Sequence, residues 1–112
     1  MFGFQRLDVY TCAIQFLGHA VTLADRVPRG NASLSDQLRR AALSVPLNVA
    51  EGSGKEDRDA KRFYTIARGS ALECAAILDV FEALDIVASE GMVQARELLE
   101  RVVAMLTKLR LP

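Results

Sequence analysis

Apolar residues between Phe4 and Val27 recur at Leu7, Tyr10, Ile14, Leu17, Val21 and Ala24, in alternating steps of three and four that place them on one face of a helix. A second set, Val9, Cys12, Phe16, Ala20, Leu23 and Val27, keeps the same rhythm about 120° around the axis, at roughly 100° per residue. Only a narrow polar strip is left: Asp8, Thr11, Gln15, Gly18, His19, Thr22 and Arg26. One apolar stripe is enough to seat a helix in a small bundle. The second is expected to meet another copy of the same chain, which predicts a homo-oligomer.

Pro28, Arg29, Gly30 and Asn31 interrupt this pattern, and Ser33 with Asp36 has the spacing of a capping box that uses the shorter acid, so a second helix is predicted from there. Its seam runs through Leu34, Leu38, Ala41, Val45 and Asn48 toward Gly52-Ser53-Gly54, which reads as a C-terminal cap. Asp57 is placed to cap a third helix, whose seam is Ala60, Phe63, Ala67, Ser70, Cys74, Ile77, Phe81 and Leu84. The pattern weakens over Asp85 to Ala88; Ser89 offers the next N-cap, and Met92, Ala95, Leu99, Val102, Leu106 and Leu109 form a fourth seam.

No sustained alternation of apolar and polar positions occurs, so no strand is predicted. The expected fold is all-α, an antiparallel up-down-up-down four-helix bundle, in a single domain over residues 1–112. A turn near Lys55 sets positions whose numbers add to roughly 111 opposite each other on the middle helices. Ser44 should then face Ala67, and Glu51 should lie near Arg58 or Arg62. The small residues Ala67, Gly69, Ser70, Ala71, Cys74, Ala75 and Ala76 would let the two backbones approach closely.

Composition adds exclusions. Fourteen basic and fourteen acidic residues cancel, so no global field draws the chain to a polyanion and any such binding rests on a local patch. Two cysteines, Cys12 and Cys74, and a single histidine give no metal-ligand spacing, and no metal or other cofactor is expected; the cysteines read as buried thiols. No apolar run approaches the roughly 20 residues that span a bilayer, and the N-terminus has no leader pattern. A cytoplasmic protein with no membrane partner is expected.

The polar residues of the middle helices are the candidates for chemistry. Pro46 frees the carbonyl of Ala42 and predicts a kink, and Ser44, Asn48 and Glu51 follow around it at helical spacing. Gly52 to Lys55, GSGK, resembles a phosphate loop, but Val49 stands where that loop needs glycine and Glu56 where it needs Ser or Thr. Glu51 and Glu73 could form an acid pair, yet no nucleophile or oxyanion donors accompany them, so no catalytic residue is assigned and no enzyme activity is expected. Lys55, Arg58, Lys61 and Arg62 cluster at the turn and the start of the third helix, with Tyr64 near for stacking. They are the candidate nucleic-acid contacts.

The segments QLRRAALSVPLNVAEGSGK, Gln37 to Lys55, and RFYTIARGSALE, Arg62 to Glu73, resemble the signature of the four-helix-bundle family named after the 23S ribosomal RNA intervening-sequence protein. The match covers both middle helices. The resemblance implies an antiparallel bundle that assembles as a homopentamer around an axial channel without catalytic activity. It also implies similarity to the accessory protein of diversity-generating retroelements, a pentameric barrel thought to bind nucleic acid. Carried over by position, the signature residues are Ser44, Asn48, Glu51, Gly52, Arg68, Gly69, Ser70 and Glu73. On this reading the chain is a non-enzymatic ring-forming module whose repeated basic turns engage structured RNA or another polyanion; the alternative is a protein-interaction scaffold with no nucleic-acid role.

Overall fold

The computed structural model describes residues 1–111. Four α-helices follow one another: α1 (Asp8–Asp25), α2 (Ala32–Ser53), α3 (Asp57–Ala83) and α4 (Val93–Arg110). Short 3-10 turns cover Gly3–Arg6, Arg29–Asn31 and Ser89–Met92, and no strand occurs among the described residues. Each helix packs on its chain neighbours, and α4 also packs on α1, which closes a four-helix bundle. Side-chain pairs fix the directions. Arg68 meets Thr107 and Arg96 meets Asp79, so α3 and α4 run opposite ways. Gly52 lies under Tyr64 while Ser44 meets Ser70, which makes α2 and α3 antiparallel in the same manner.

Of the two apolar stripes on α1, one is consumed inside the bundle. Val9, Cys12, Phe16, Ala20 and Leu23 are buried, together with Ala13, and they meet Leu38, Val45, Val49, Leu78, Phe81, Val102 and Leu106 in a single core. The other stripe stays at the surface: Ile14 is 42% exposed and Val21 40%, with Tyr10 and Leu17 half-buried and only Ala24 enclosed. The predicted seams of α3 and α4 are borne out except at their last members and at Phe63, which lies outside the core while Tyr64 is buried in its place. Leu84 lies beyond the end of α3 and Leu109 faces partly outward.

Helix ends depart from the sequence expectation in several places, because the chain uses 3-10 turns in place of side-chain caps. The first helix begins at Asp8 with Leu7 at its cap, at the first residue of the predicted stripe, and is preceded by the Gly3–Arg6 turn. α2 starts at Ala32 with Asn31 at its cap and no side-chain capping bond, so the Ser33 and Asp36 box does not form; Asp36 lies 3.7 Å from Arg39 instead. Glu56, not Asp57, caps α3. Asp57 itself takes the left-handed conformation at φ 47°, tolerable for an aspartate, which turns the chain without a left-handed glycine; Gly54 sits at φ −90°. Ser89 opens a 3-10 turn ahead of α4, and its hydroxyl donates to Glu82. α2 continues as one helix through Pro46, which is fully buried.

Candidate functional site

Three of the eight signature residues, Ser44, Asn48 and Ser70, bond to one another at the α2–α3 seam. Asn48 Nδ2 donates to the Ser44 carbonyl at 2.8 Å and to the Ser44 hydroxyl at 2.9 Å, and that hydroxyl shares a 2.8 Å bond with Ser70 Oγ. The partner of Ser44 is therefore Ser70, about one turn along from the expected Ala67. Asn48, Ser44 and Ser70 are all half-buried. A chain of satisfied polar groups of this kind fixes the register of two helices, since sliding either one would strand a donor away from water.

Gly52 and Gly69 belong to the same signature and sit in opposite surroundings. Gly52 is buried, and a Cβ there would lie 2.8 Å from Cε1 of Tyr64 and 3.2 Å from the carbonyl of Ala60. The absence of a side chain is what lets the Tyr64 ring lie against α2. Around Gly69, a Cβ would meet nothing within 4 Å. Arg68 reaches the other way, donating from Nε to the Thr107 hydroxyl at 2.8 Å, while that hydroxyl donates to the Val103 carbonyl at 2.7 Å.

The two signature acids are not paired. Glu51 is exposed and forms no ion pair with Arg58 or Arg62, contrary to the sequence expectation; it borders an open cleft with Leu47 and Lys55. Glu73 is exposed beside Ser33, Asp36, Gln37 and Arg40. Glu51 and Glu73 border different clefts, and no group of metal-ligating side chains occurs among the described residues. Cys12 and Cys74 are buried free thiols, and burial, with Glu73 adding, pushes the Cys74 thiol up to about 12.

The basic cluster is assembled differently from the sequence expectation. Tyr64 is buried and its burial raises its pKa, so it offers no stacking surface. The aromatic ring at this end is Phe63, with Lys55 Nζ 5.9 Å from its centroid and the Arg62 guanidinium 5.2 Å away. Lys55, Arg58 and Arg62 are exposed and Lys61 half-buried, and none of them forms an ion pair among the described residues. The fold adds Arg6, just before α1, and Lys108 and Arg110, in the last turn of α4, to the same end of the bundle. Sequence reading missed these three because they lie far from the turn in the chain: the return of α2 along α1 brings the turn to Arg6, and the return of α4 along α3 brings Lys108 and Arg110 to it.

A second feature was also hidden. From Phe63 to Leu78 the only charged residues of α3 are Arg68 and Glu73, and its outer surface carries Ile66 at 45% and Leu72 at 45% exposure, with Val80 further along. On α2, Leu43 and Leu47 are exposed as well. The Asp25–Arg39 ion pair, at 2.6 Å, marks the ends of two neighbouring ladders, Val21, Leu17, Ile14 on α1 and Leu43, Leu47 on α2, spaced at three or four residues. Exposed apolar residues thus lie on these three helices, and on α4 at Val93 and Leu109, where the sequence pattern pointed to one.

No helix among the described residues is long and apolar enough to cross a membrane. Among curated proteins none matches the chain. A profile of the family described as 23S rRNA-intervening sequence protein matches residues 5–108, which takes in all four helices except the final residues of α4. With the four-helix architecture and the polar seam both in place, the chain belongs to the 23S rRNA-intervening sequence protein family.

Proposed function

We propose that this protein is a non-enzymatic module that assembles with copies of itself, as a pentamer on the family resemblance, and uses its basic end to hold structured RNA. The observation that carries the reading is the gathering of Arg6, Lys55, Arg58, Lys61, Arg62, Lys108 and Arg110 at one end of a chain whose net charge is zero. The carboxylates of that end, Asp8, Glu51, Glu56, Asp57 and Asp59, are fewer, and the surplus of acid falls toward the opposite end, at Asp79, Glu82, Asp85 and Glu90. One copy offers a modest positive surface. Several copies in a closed assembly with their ends aligned would repeat it and convert weak phosphate contacts into useful affinity.

Self-association is supported by the apolar ladders on α1 and α2 and by the exposed Ile66, Leu72 and Val80 of α3, a sparsely charged surface on which Glu73 is the exposed acid. The experiment pairs a sedimentation mass with fluorescence anisotropy on a structured RNA hairpin over a salt series. An oligomer whose affinity falls steeply with salt, and which loses binding when Lys55, Arg58, Lys61 and Arg62 are replaced by Glu, is expected. A monomer at micromolar concentration would overturn the assembly, and retention by the charge-reversed protein would overturn the assignment of the basic end. If RNA is not bound while the oligomer persists, the apolar surfaces favour the scaffold reading, tested by protein capture that survives nuclease.

A further inference from the structure

The polar strip of α1 faces α4 across an open groove of about 570 Å³, a size within the range of small-molecule sites. Gln15, His19, Thr22 and Arg26 line it from α1 and Gln94 from α4, over the buried side chain of Leu23. At two other helix pairs an arginine in the groove is ion-paired. Between α1 and α2, Arg39 is tied to Asp25 at 2.6 Å; between α3 and α4, Arg96 is tied to Asp79 at 2.9 Å. In the α1–α4 groove Arg26 has no acidic partner among the described residues, and no residue lining the groove is acidic.

The remaining polar groups of the groove are equally idle. Gln15, His19 and Gln94 make no side-chain hydrogen bond among the described residues, while the Thr22 hydroxyl donates to the Gly18 carbonyl at 3.1 Å. Two glycines keep the space open. A Cβ on Gly18 would meet nothing within 4 Å, and the nearest atoms to one on Gly91 are Val87 Cγ1 at 3.4 Å and Arg26 Nη1 at 3.6 Å.

We infer that the α1–α4 groove is a binding site for a small molecule bearing a carboxylate or phosphate group. Arg26 takes the oxyanion through its planar fork, and the amides of Gln15 and Gln94 with the His19 ring hydrogen-bond the rest of the ligand. The inference stands apart from RNA binding, since the groove opens on the side of the bundle and away from the cluster at the α2–α3 turn.

The chain has one histidine, so the His19 ring gives a single, unambiguous NMR signal in the full-length protein. Titration with sodium phosphate and, separately, with sodium glutarate, each against sodium chloride at matched ionic strength, is expected to give a saturable shift of that signal and of the Gln15 and Gln94 side-chain amides in at least one series. Phosphate alone would assign a phosphate ester, glutarate alone a carboxylate. Arg26→Gln is expected to weaken binding about tenfold or more, and Gly18→Leu, which fills the groove from a position with room for it, to abolish the shift while the melting temperature is retained. Shifts that merely track sodium chloride, or that survive both substitutions, overturn the site.

Discussion

The α2–α3 seam and the α1–α4 seam are built from similar side chains put to different uses. At the first, Asn48, Ser44 and Ser70 bond to one another and Gly52 admits the Tyr64 ring, so the polar groups are spent on holding two helices in register. At the second, Gln15, His19, Arg26 and Gln94 converge on an open groove and bond to nothing within the chain. The contrast separates two meanings of a polar residue near a helix interface. A partnered group specifies the fold, and an unpartnered one is available for a ligand. The residues that mark the family fall mainly in the first class, which is why their conspicuous spacing says much about packing and little about chemistry.

The largest effect expected from breaking the closed seam is at Gly52. Gly52→Val drives a branched side chain into the Tyr64 ring and the Ala60 carbonyl, and it should cost about 2–3 kcal/mol in urea denaturation. If the ring is the obstacle, the cost shrinks in a Tyr64→Ala background, as a double-mutant cycle would read directly. An equal penalty in both backgrounds would place the strain in the backbone alone.

Next in size is a matched pair across the two seams. Asn48→Leu removes an amide that donates twice to Ser44 and should cost about 1–2 kcal/mol. Gln15→Leu removes an amide with no partner and should stay within about 0.5 kcal/mol. Equal effects would erase the distinction between spent and idle groups.

How far the sequence reveals these two seams depends on how local each signal is. Helical periods located all four helices because burial imposes a three-four rhythm, and they located the core through Phe16, Leu38, Phe81 and Leu106. The polar positions Ser44, Asn48 and Ser70 stood out on apolar seams, though the bond joined Ser44 to Ser70 and not to the level of Ala67. The helix ends were less legible. Ser33, Asp57 and Ser89 are all good capping residues in isolation, but the short 3-10 turns at Arg29–Asn31 and Ser89–Met92 and the left-handed Asp57 satisfy or redirect the chain ends by backbone means. Lys55, Arg58, Lys61 and Arg62 were legible as a local cluster, but the rest of the basic end and the α1–α4 groove were not, because Arg6 and Arg110 reach one end of the bundle, and Arg26 meets Gly91, only through the fold.

A pH experiment contrasts a closed site with an open one. Cys74 is enclosed, with its thiol pushed up to about 12 from a reference of 9.0, so the unfolded chain loses that proton first as pH rises. The sign follows: below pH 9 both states hold the proton and nothing changes, while above it the unfolded state is favoured and stability falls. The loss attributable to this group should reach about 1 kcal/mol by pH 10. Cys74→Ala, whatever its own cost, should flatten that part of the stability profile; an unchanged slope would assign it to other groups, of which Tyr64 is the first candidate.

The smallest effect, and the one that bears on assembly, is expected at Gly69. A glycine inside an exposed stretch of helix weakens it by about 0.5–1 kcal/mol relative to alanine. Within one chain nothing justifies that cost, since a methyl group there meets no atom within 4 Å. Gly69→Ala should therefore raise the stability of an isolated chain by that amount, the reverse of the change at Gly52. The position lies on the same outer surface of α3 as Ile66, Leu72 and Val80. If a neighbouring copy packs its backbone there, the added methyl will hold the two apart, and sedimentation should show a weaker oligomer even as the single chain becomes harder to unfold. A gain in stability with assembly unaltered would move the contact between copies off α3 and onto the Ile14, Val21, Leu43 and Leu47 surface of α1 and α2.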